Sequence, residues 1–165
     1  MRDDACILGI DPGLSGALAW LRPSGEVIDV ADLPILDEGP RRKNVDAVQL
    51  AALLKHHPIV RVAIEAVHAR PTDSKVSAFT FGRNLGALEA VVLASGIPLD
   101  RVHPITWRRL AGLPAGAPKD ASIAAALRLC PSARPFLDGK AARHDRADAV
   151  LIALWSARHA QAARP

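Results

Sequence analysis

Residues 6–33 read CILGIDPGLSGALAWLRPSGEVIDVADL, and this stretch decides the fold. An unbroken apolar run over 5–11 is the pattern of a buried strand, and it stops at Asp11-Pro12-Gly13, a turn-forming triplet. SGALAWL (15–21) reads as a second strand. Ser24-Gly25 turns the chain into a third, EVIDVADL (26–33). Three strands joined by tight turns form a meander. Beyond it, residues 34–44 carry Pro34, Gly39, Pro40 and the basic triplet Arg41-Arg42-Lys43, and are expected to be a loop. VDAVQLAALLKHH (45–57) has helical apolar spacing and ends before Pro58. A fourth strand is expected over 59–65, a polar loop over 66–75, and a long helix over 76–95 with Gly96 as its C-terminal cap. IPLDRVH (97–103) reads as a short fifth strand. Pro104 then opens a short helix, ITWRRLAGL, and helices follow over about 119–129 and 144–160.

The chain has 165 residues, half of them hydrophobic and 23% charged, which suits one domain over 1–165 with a proper core. The net charge of +4 favours a polyanionic partner. Cys6 and Cys130 are far apart and form no CxxC motif, so neither a disulfide framework nor a zinc site is expected, and a reducing, cytoplasmic setting fits (host cytoplasm for a viral protein). The acidic start MRDDACILGID is unlike a signal peptide, and no apolar run is long enough to span a membrane.

The chemistry is expected in four acids: Asp11, Glu65, Asp145 and Asp148. Asp11 closes CILGID, Glu65 closes VRVAIE, and Asp148 lies within RADAVLIALW. Each has an ordinary explanation alone. Asp11 can start a turn, Glu65 can end a strand in solvent, and Asp145 can complement the positive end of a helix. Asp148 is harder to explain this way, because Ala147, Ala149, Leu151 and Ile152 surround it. Asp145 and Asp148 are three apart and share a helix face. Four carboxylates packed together without cations repel, and burying them costs several kcal/mol each unless a cation or donors compensate. Mg²⁺, which takes oxygen ligands and keeps water and phosphate around it, is the natural counter-ion. Two such ions roughly 4 Å apart suit hydrolysis of a phosphodiester, with Mn²⁺ as a substitute.

The sequence resembles the RuvC family of Holliday-junction resolvases. The resemblance runs through ILGIDPGLSGALAWL (7–21), VAIEAVHARP (62–71), FGRNLGALEAVVLASGIPLDRVHPITWRRLAGL (81–113) and HDRADAVLIALW (144–155), in family order along nearly the whole chain. HARPTDSK (68–75) and FGRN are similar to RuvC-like proteins of phages and mobile elements. The family implies an α/β, ribonuclease-H-like mixed five-stranded sheet with helices on both faces, matching the element order read above. It implies catalytic, metal-holding roles for Asp11, Glu65, Asp145 and Asp148, with His144 as the alternative to Asp145 for the third ligand. It also implies two bound Mg²⁺ and basic positions at Arg108 and Lys119, the latter beside the scissile phosphate. His68 stands where some resolvases have an aromatic residue that stacks in the opened junction.

With His68 and Arg70, residues Lys75, Arg83, Arg108, Arg109 and Lys119 are the expected DNA-binding set, extended by Arg41, Arg42 and Lys43. A four-way junction has two-fold symmetry, so the resemblance implies a homodimer, with Phe79, Phe81, Leu85, Leu88 and Val92 as contact candidates, the alternative being that the same stripe is only core. The implied activity is a crossover junction endodeoxyribonuclease in DNA recombination and repair. The alternative is a nuclease of the same fold acting on other branched DNA, flaps or RNA–DNA hybrids. An actin-like ATPase fragment and a non-cutting junction-binding module fit less well: no second glycine-rich phosphate segment is present, and no acid of the four is missing.

Overall fold

A computed structural model describes residues 5–37, 39, 43–69, 71–139 and 143–162, without the side chains of 143, 161 and 162. Strands β1 (Cys6–Ile10), β2 (Ala17–Leu21) and β3 (Val27–Asp32) form the expected meander. A small hairpin follows, β4 (Ile35–Asp37) and β5 (Lys43–Val45), then helix α1 (Ala47–Leu53) and strand β6 (Ile59–Glu65). The rest of the chain forms α2 (Lys75–Ala94), β7 (Leu99–Val102), α3 (Pro104–Leu110), α4 (Asp120–Leu129), a 3-10 turn (Pro131–Ala133), α5 (Arg134–Leu137) and α6 (Arg143–Ala162).

The main sheet has five strands in the order β3-β2-β1-β6-β7. The meander pairs antiparallel, whereas β1–β6 and β6–β7 are parallel. The sheet is therefore mixed, with helices on both faces as expected. Alternation along the strands sorts the side chains. Leu8, Ile10, Leu18, Trp20, Val62 and Ile64 face α1 and α2, meeting Leu50, Leu88 and Val92. Ala17, Ala19, Leu21 and Ala63 face α6, which has α3, α4 and α5 packed around it. By the same alternation Asp11 and Glu65 lie on the α6 side. Trp20 and β1, β2 are wholly buried, which explains why these strands read as continuous apolar runs rather than alternating ones.

Helix α6 comes unusually close to the sheet. A β-carbon at Gly9 would overlap the Ala149 carbonyl and the Ala153 side chain. Gly9 in β1 and the alanines of α6 thus permit backbone approach that larger residues would forbid. At its start, α6 is tied sideways: Arg146 donates to both carboxylate oxygens of Asp32 at 2.6 and 2.7 Å, and to the Phe136 carbonyl at 3.2 Å.

The stretch 34–44 is not simply a loop, and this corrects the sequence expectation for its described residues (38 and 40–42 lie outside them). Ile35 pairs with Val45 and Asp37 with Lys43. Strands of three residues carry too little periodicity to read, and the pairing is held from elsewhere. The buried Asn84 of α2 accepts from the Val45 N–H at 2.9 Å and donates to the Lys43 carbonyl at 3.4 Å. The helix expected over 45–57 is shorter, because Asp46 is its N-cap and accepts from Gln49 N–H, and it ends at Leu53. Gly96 follows α2 at φ +71°, the left-handed conformation expected of its cap. No helix among the described residues is long and apolar enough to cross a membrane.

Candidate active site

The adjacent parallel strands β1 and β6 end side by side, with Ile10 opposite Ile64, so Asp11 and Glu65 emerge together. Beyond Asp11 the chain turns back at once. Asp11 N–H donates to Ala17 O at 3.0 Å, Gly16 N–H donates to Gly13 O at 2.8 Å, and Gly13 N–H donates to the Asp11 side chain at 3.2 Å. Gly16 lies against the Asp11 carbonyl with no room for a β-carbon, so the turn is locked by contact. On the same sheet face, the first turns of α6 bring Asp145 and Asp148. Their charges act on Asp11, which fixes the four acids as one electrostatic group.

Burial, above all, raises the Asp11 carboxyl from its usual 3.8 to about 7. The Gly13 N–H opposes this, and the charges of Asp148, Glu65 and Asp145 add to it. Burial likewise raises Glu65, against the hydrogen bond from Trp107 and the Arg108 charge and together with the Asp148 charge. Burial raises Asp148 too; Ser122, Arg108 and His144 pull it down, while Asp145 pushes it up. His144 Nε2 is 3.2 Å from Asp145 Oδ1, so both candidates for the third ligand stand at the site.

Asp145 Oδ2 and Asp148 Oδ1 are buried and have no hydrogen-bond partner among the described residues. Orphaned carboxylate oxygens inside a cluster of acids are a place for a cation. The donors are oxygens, which suits a hard ion of the Mg²⁺ type in kind. Among the described residues no three His, Cys, Asp or Glu side chains already close into a cage. Mg²⁺ asks less than that: one or two carboxylates, with water and substrate phosphate completing its shell. The residues fit the ion on that basis.

Two residues of the site went unread in the sequence. Trp107, almost fully buried, donates its indole N–H to Glu65 Oε1 at 3.0 Å. Ser122 of α4, also buried, hydrogen-bonds Asp148. Neither left a signal in the local sequence, because burial and partner both arise from packing between distant elements.

The expected basic residues divide. Arg108 is half-buried, acts on both Glu65 and Asp148, and lies over the Trp107 ring at 5.4 Å from its centroid. Lys119 is exposed at the start of α4, one turn before Ser122. Lys75 opens α2, next to a groove lined by Pro12, Leu14, Lys43, Ser74, Val76 and Thr80. Arg83 and Arg109 are exposed on α2 and α3. His68 is exposed beyond β6, its ring 5.9 Å from that of His103. Arg70, Arg41 and Arg42 lie outside the described residues. The apolar stripe expected for dimer contact or core divides: Leu88 and Val92 are buried in the core, because that face of α2 covers the sheet, Phe81 and Leu85 are half-buried, and Phe79 is 74% exposed. Val76 and Leu93 of the same helix are exposed as well.

The chain matches no protein-family model. It is 32% identical over 93 residues to the Holliday junction resolvase MOC1, chloroplastic, of Chlamydomonas reinhardtii. That match takes in 56% of this chain but only a tenth of the relative's length. Among solved structures, the Thermus thermophilus RuvC structure superposes with a TM-score of 0.71 at 19% identity, over 95% of this chain and 96% of that one. T. thermophilus RuvC in complex with Holliday junction substrate gives 0.70 at 17%, over 96% of each chain. The fold of this chain is therefore that of RuvC, ribonuclease-H-like as the sequence implied.

Proposed function

We propose that this chain is a metal-dependent endonuclease that resolves four-way DNA junctions by paired hydrolysis of phosphodiester bonds. One observation carries the reading: half-buried carboxylates at the ends of β1 and β6 and at the start of α6 converge at one sheet end, with two buried oxygens left unpartnered among the described residues. A RuvC-fold relative solved with a Holliday junction substrate supports the choice of DNA, as does the partial match to a chloroplastic Holliday junction resolvase.

Asp11, Glu65, Asp145 and Asp148 would hold the divalent cations, and His144, 3.2 Å from Asp145 Oδ1, would orient Asp145. Bound there, Mg²⁺ or Mn²⁺ would activate water and stabilise the leaving oxygen. The water gives up a proton as its oxygen bonds to phosphorus, the bond to the 3′ oxygen breaks, and that oxygen takes up a proton in its turn. The products are a 5′-phosphate and a 3′-hydroxyl, a nick that a ligase can seal. Arg108 acts on Glu65 and Asp148 and is the cation that offsets charge growing on the phosphate; Lys119, exposed at the start of α4, is the second candidate for that role. Lys75, Arg83 and Arg109, with Arg70, contact phosphates and so position DNA without reading its sequence. His68 stacks on a base at the opened junction, paired with His103. Two copies meet through the exposed face of α2, where Val76, Phe79 and Leu93 flank Gly82 and Gly86, both open to close approach.

The test is cleavage of a labelled four-way junction in Mg²⁺ by wild type, Asp11→Asn and Asp148→Asn. Paired, ligatable nicks from wild type alone, with binding kept in all three, support the reading. Equal or better cutting of flaps or RNA–DNA hybrids would instead favour the broader nuclease.

A further inference from the structure

The acidic centre has a neutral neighbour whose chemistry its reaction does not explain. Trp107 is 1% exposed, on α3. Val102, the register partner of Glu65, ends β7 just before Pro104 turns the chain into α3. The helix therefore folds back over the strand ends. The indole edge reaches Glu65 Oε1 at 3.0 Å while the Arg108 guanidinium lies over the indole face. The fully buried Trp20 fills the core with its indole N–H unpartnered among the described residues, whereas the Trp107 N–H is aimed at an acid of the site. An indole N–H donates and cannot ionise or accept. It fixes a carboxylate oxygen without forming the salt bridge that would neutralise Glu65 and compete with a cation.

We infer that Trp107 is a positioning residue: its N–H holds Glu65 by one oxygen and presents the other to the divalent cation. The inference rests on the acids being a cation site. Hydrogen-bonding partners behind metal ligands commonly account for about 10–100-fold in metal affinity. Trp107→Phe keeps an aromatic face for Arg108 and removes the edge donor, so it separates the two contacts.

The experiment is calorimetric titration of Mn²⁺ into wild type, Trp107→Phe and a variant carrying benzothienylalanine at 107, which replaces the N–H by sulfur in a ring of the same shape. Thermal melts and junction binding without metal are recorded beside it. We expect Mn²⁺ to bind both variants about 10–100-fold more weakly, with metal-free junction binding unchanged. Should the Phe variant not fold, the benzothienyl variant decides. Wild-type-like Mn²⁺ affinity in a folded variant overturns the role of Trp107 alone. Failure of wild type itself to bind Mn²⁺ overturns the cation site and the inference with it.

Discussion

Gly9 of β1 and Ala149 of α6 touch backbone to backbone, and a β-carbon at position 9 would overlap the Ala149 carbonyl. The contact lies two residues before Asp11 and one after Asp148, so it sets how near α6 brings its acids to the strand end. Gly9→Ala must push the helix away or strain the strand. Overpacking of this kind costs about 1–3 kcal/mol, or roughly 2–10 °C in Tm for a chain of this size. Thermal unfolding and junction cleavage should both fall; a variant that melts and cuts like wild type would remove the contact from the argument.

Asp11→Asn and Asp148→Asn should each lower the cleavage rate on the order of 10³-fold, about 4 kcal/mol of barrier. Neither should weaken junction binding in the absence of metal. Both remove a raised carboxyl from a repelling group, so the metal-free proteins should melt no lower than wild type. A large loss of Tm in either would mean that the acid is structural.

The metal-free protein should lose stability as pH rises through neutrality. Asp11 titrates near 3.8 when unfolded and at about 7 when folded. The folded state therefore binds the proton more tightly, and the stabilisation this brings is full below about pH 4 and lost as pH rises through 7. Glu65 and Asp148 shift in the same direction. In EDTA, Tm should be lower at pH 8 than at pH 5, and Asp11→Asn should flatten that fall. Mg²⁺ favours the ionised carboxylates, so adding it at pH 8 should restore Tm. A flat profile in EDTA would contradict the clustering of these acids.

Adjacent arginines on α3 should behave differently. Arg108 acts on Glu65 and Asp148, whereas Arg109 is exposed. Arg108→Gln should slow cutting by about 10-fold or more, with junction binding changed less. Arg109→Gln should weaken binding evenly and lower the slope of log affinity against log salt by about 1. Identical effects from the two substitutions would show that α3 contributes only general charge.

Arg146 and Asp32 join the start of α6 to the end of β3 through two parallel hydrogen bonds. Arg146 is largely buried and Asp32 more exposed. Their coupling in a double-mutant cycle should be modest, about 1 kcal/mol. Arg146→Lys cannot reproduce the paired geometry, and should reduce cutting more than it reduces Tm. A loss of Tm with full activity would assign the bridge to stability only.

Much of the fold was legible because its signals are local. Apolar runs end at Asp11-Pro12-Gly13, Ser24-Gly25 and Pro58, and helix α2 ends before Gly96, so most elements could be placed from neighbouring residues. The β4–β5 hairpin was missed because Asn84, about forty residues away, completes its hydrogen bonds. The short turns of helix at 131–137 left no periodicity to read. Along α2 the sequence showed apolar residues but not their allegiance: Leu88 belongs to the core and Phe79 to the surface, a difference set by which side meets the sheet.

The same division holds at the site. Sequence alone singled out the four acids as candidates, since carboxylates that close apolar runs stand out by the cost of burying them. It also determined that β1 and β6 carry one acid each at their ends, because strand boundaries are written in turn residues. Only the tertiary structure decided that Asp11, Glu65, Asp145 and Asp148 share one field. That requires parallel pairing of β1 with β6 and the close seat of α6 on Gly9. Only it decided that Trp107 and Ser122 support the acids, because a hydrogen bond between residues 42 positions apart leaves no trace in local pattern. Strand and turn preferences act between neighbours along the chain, whereas the field of a site depends on distances that exist only once the layers have packed.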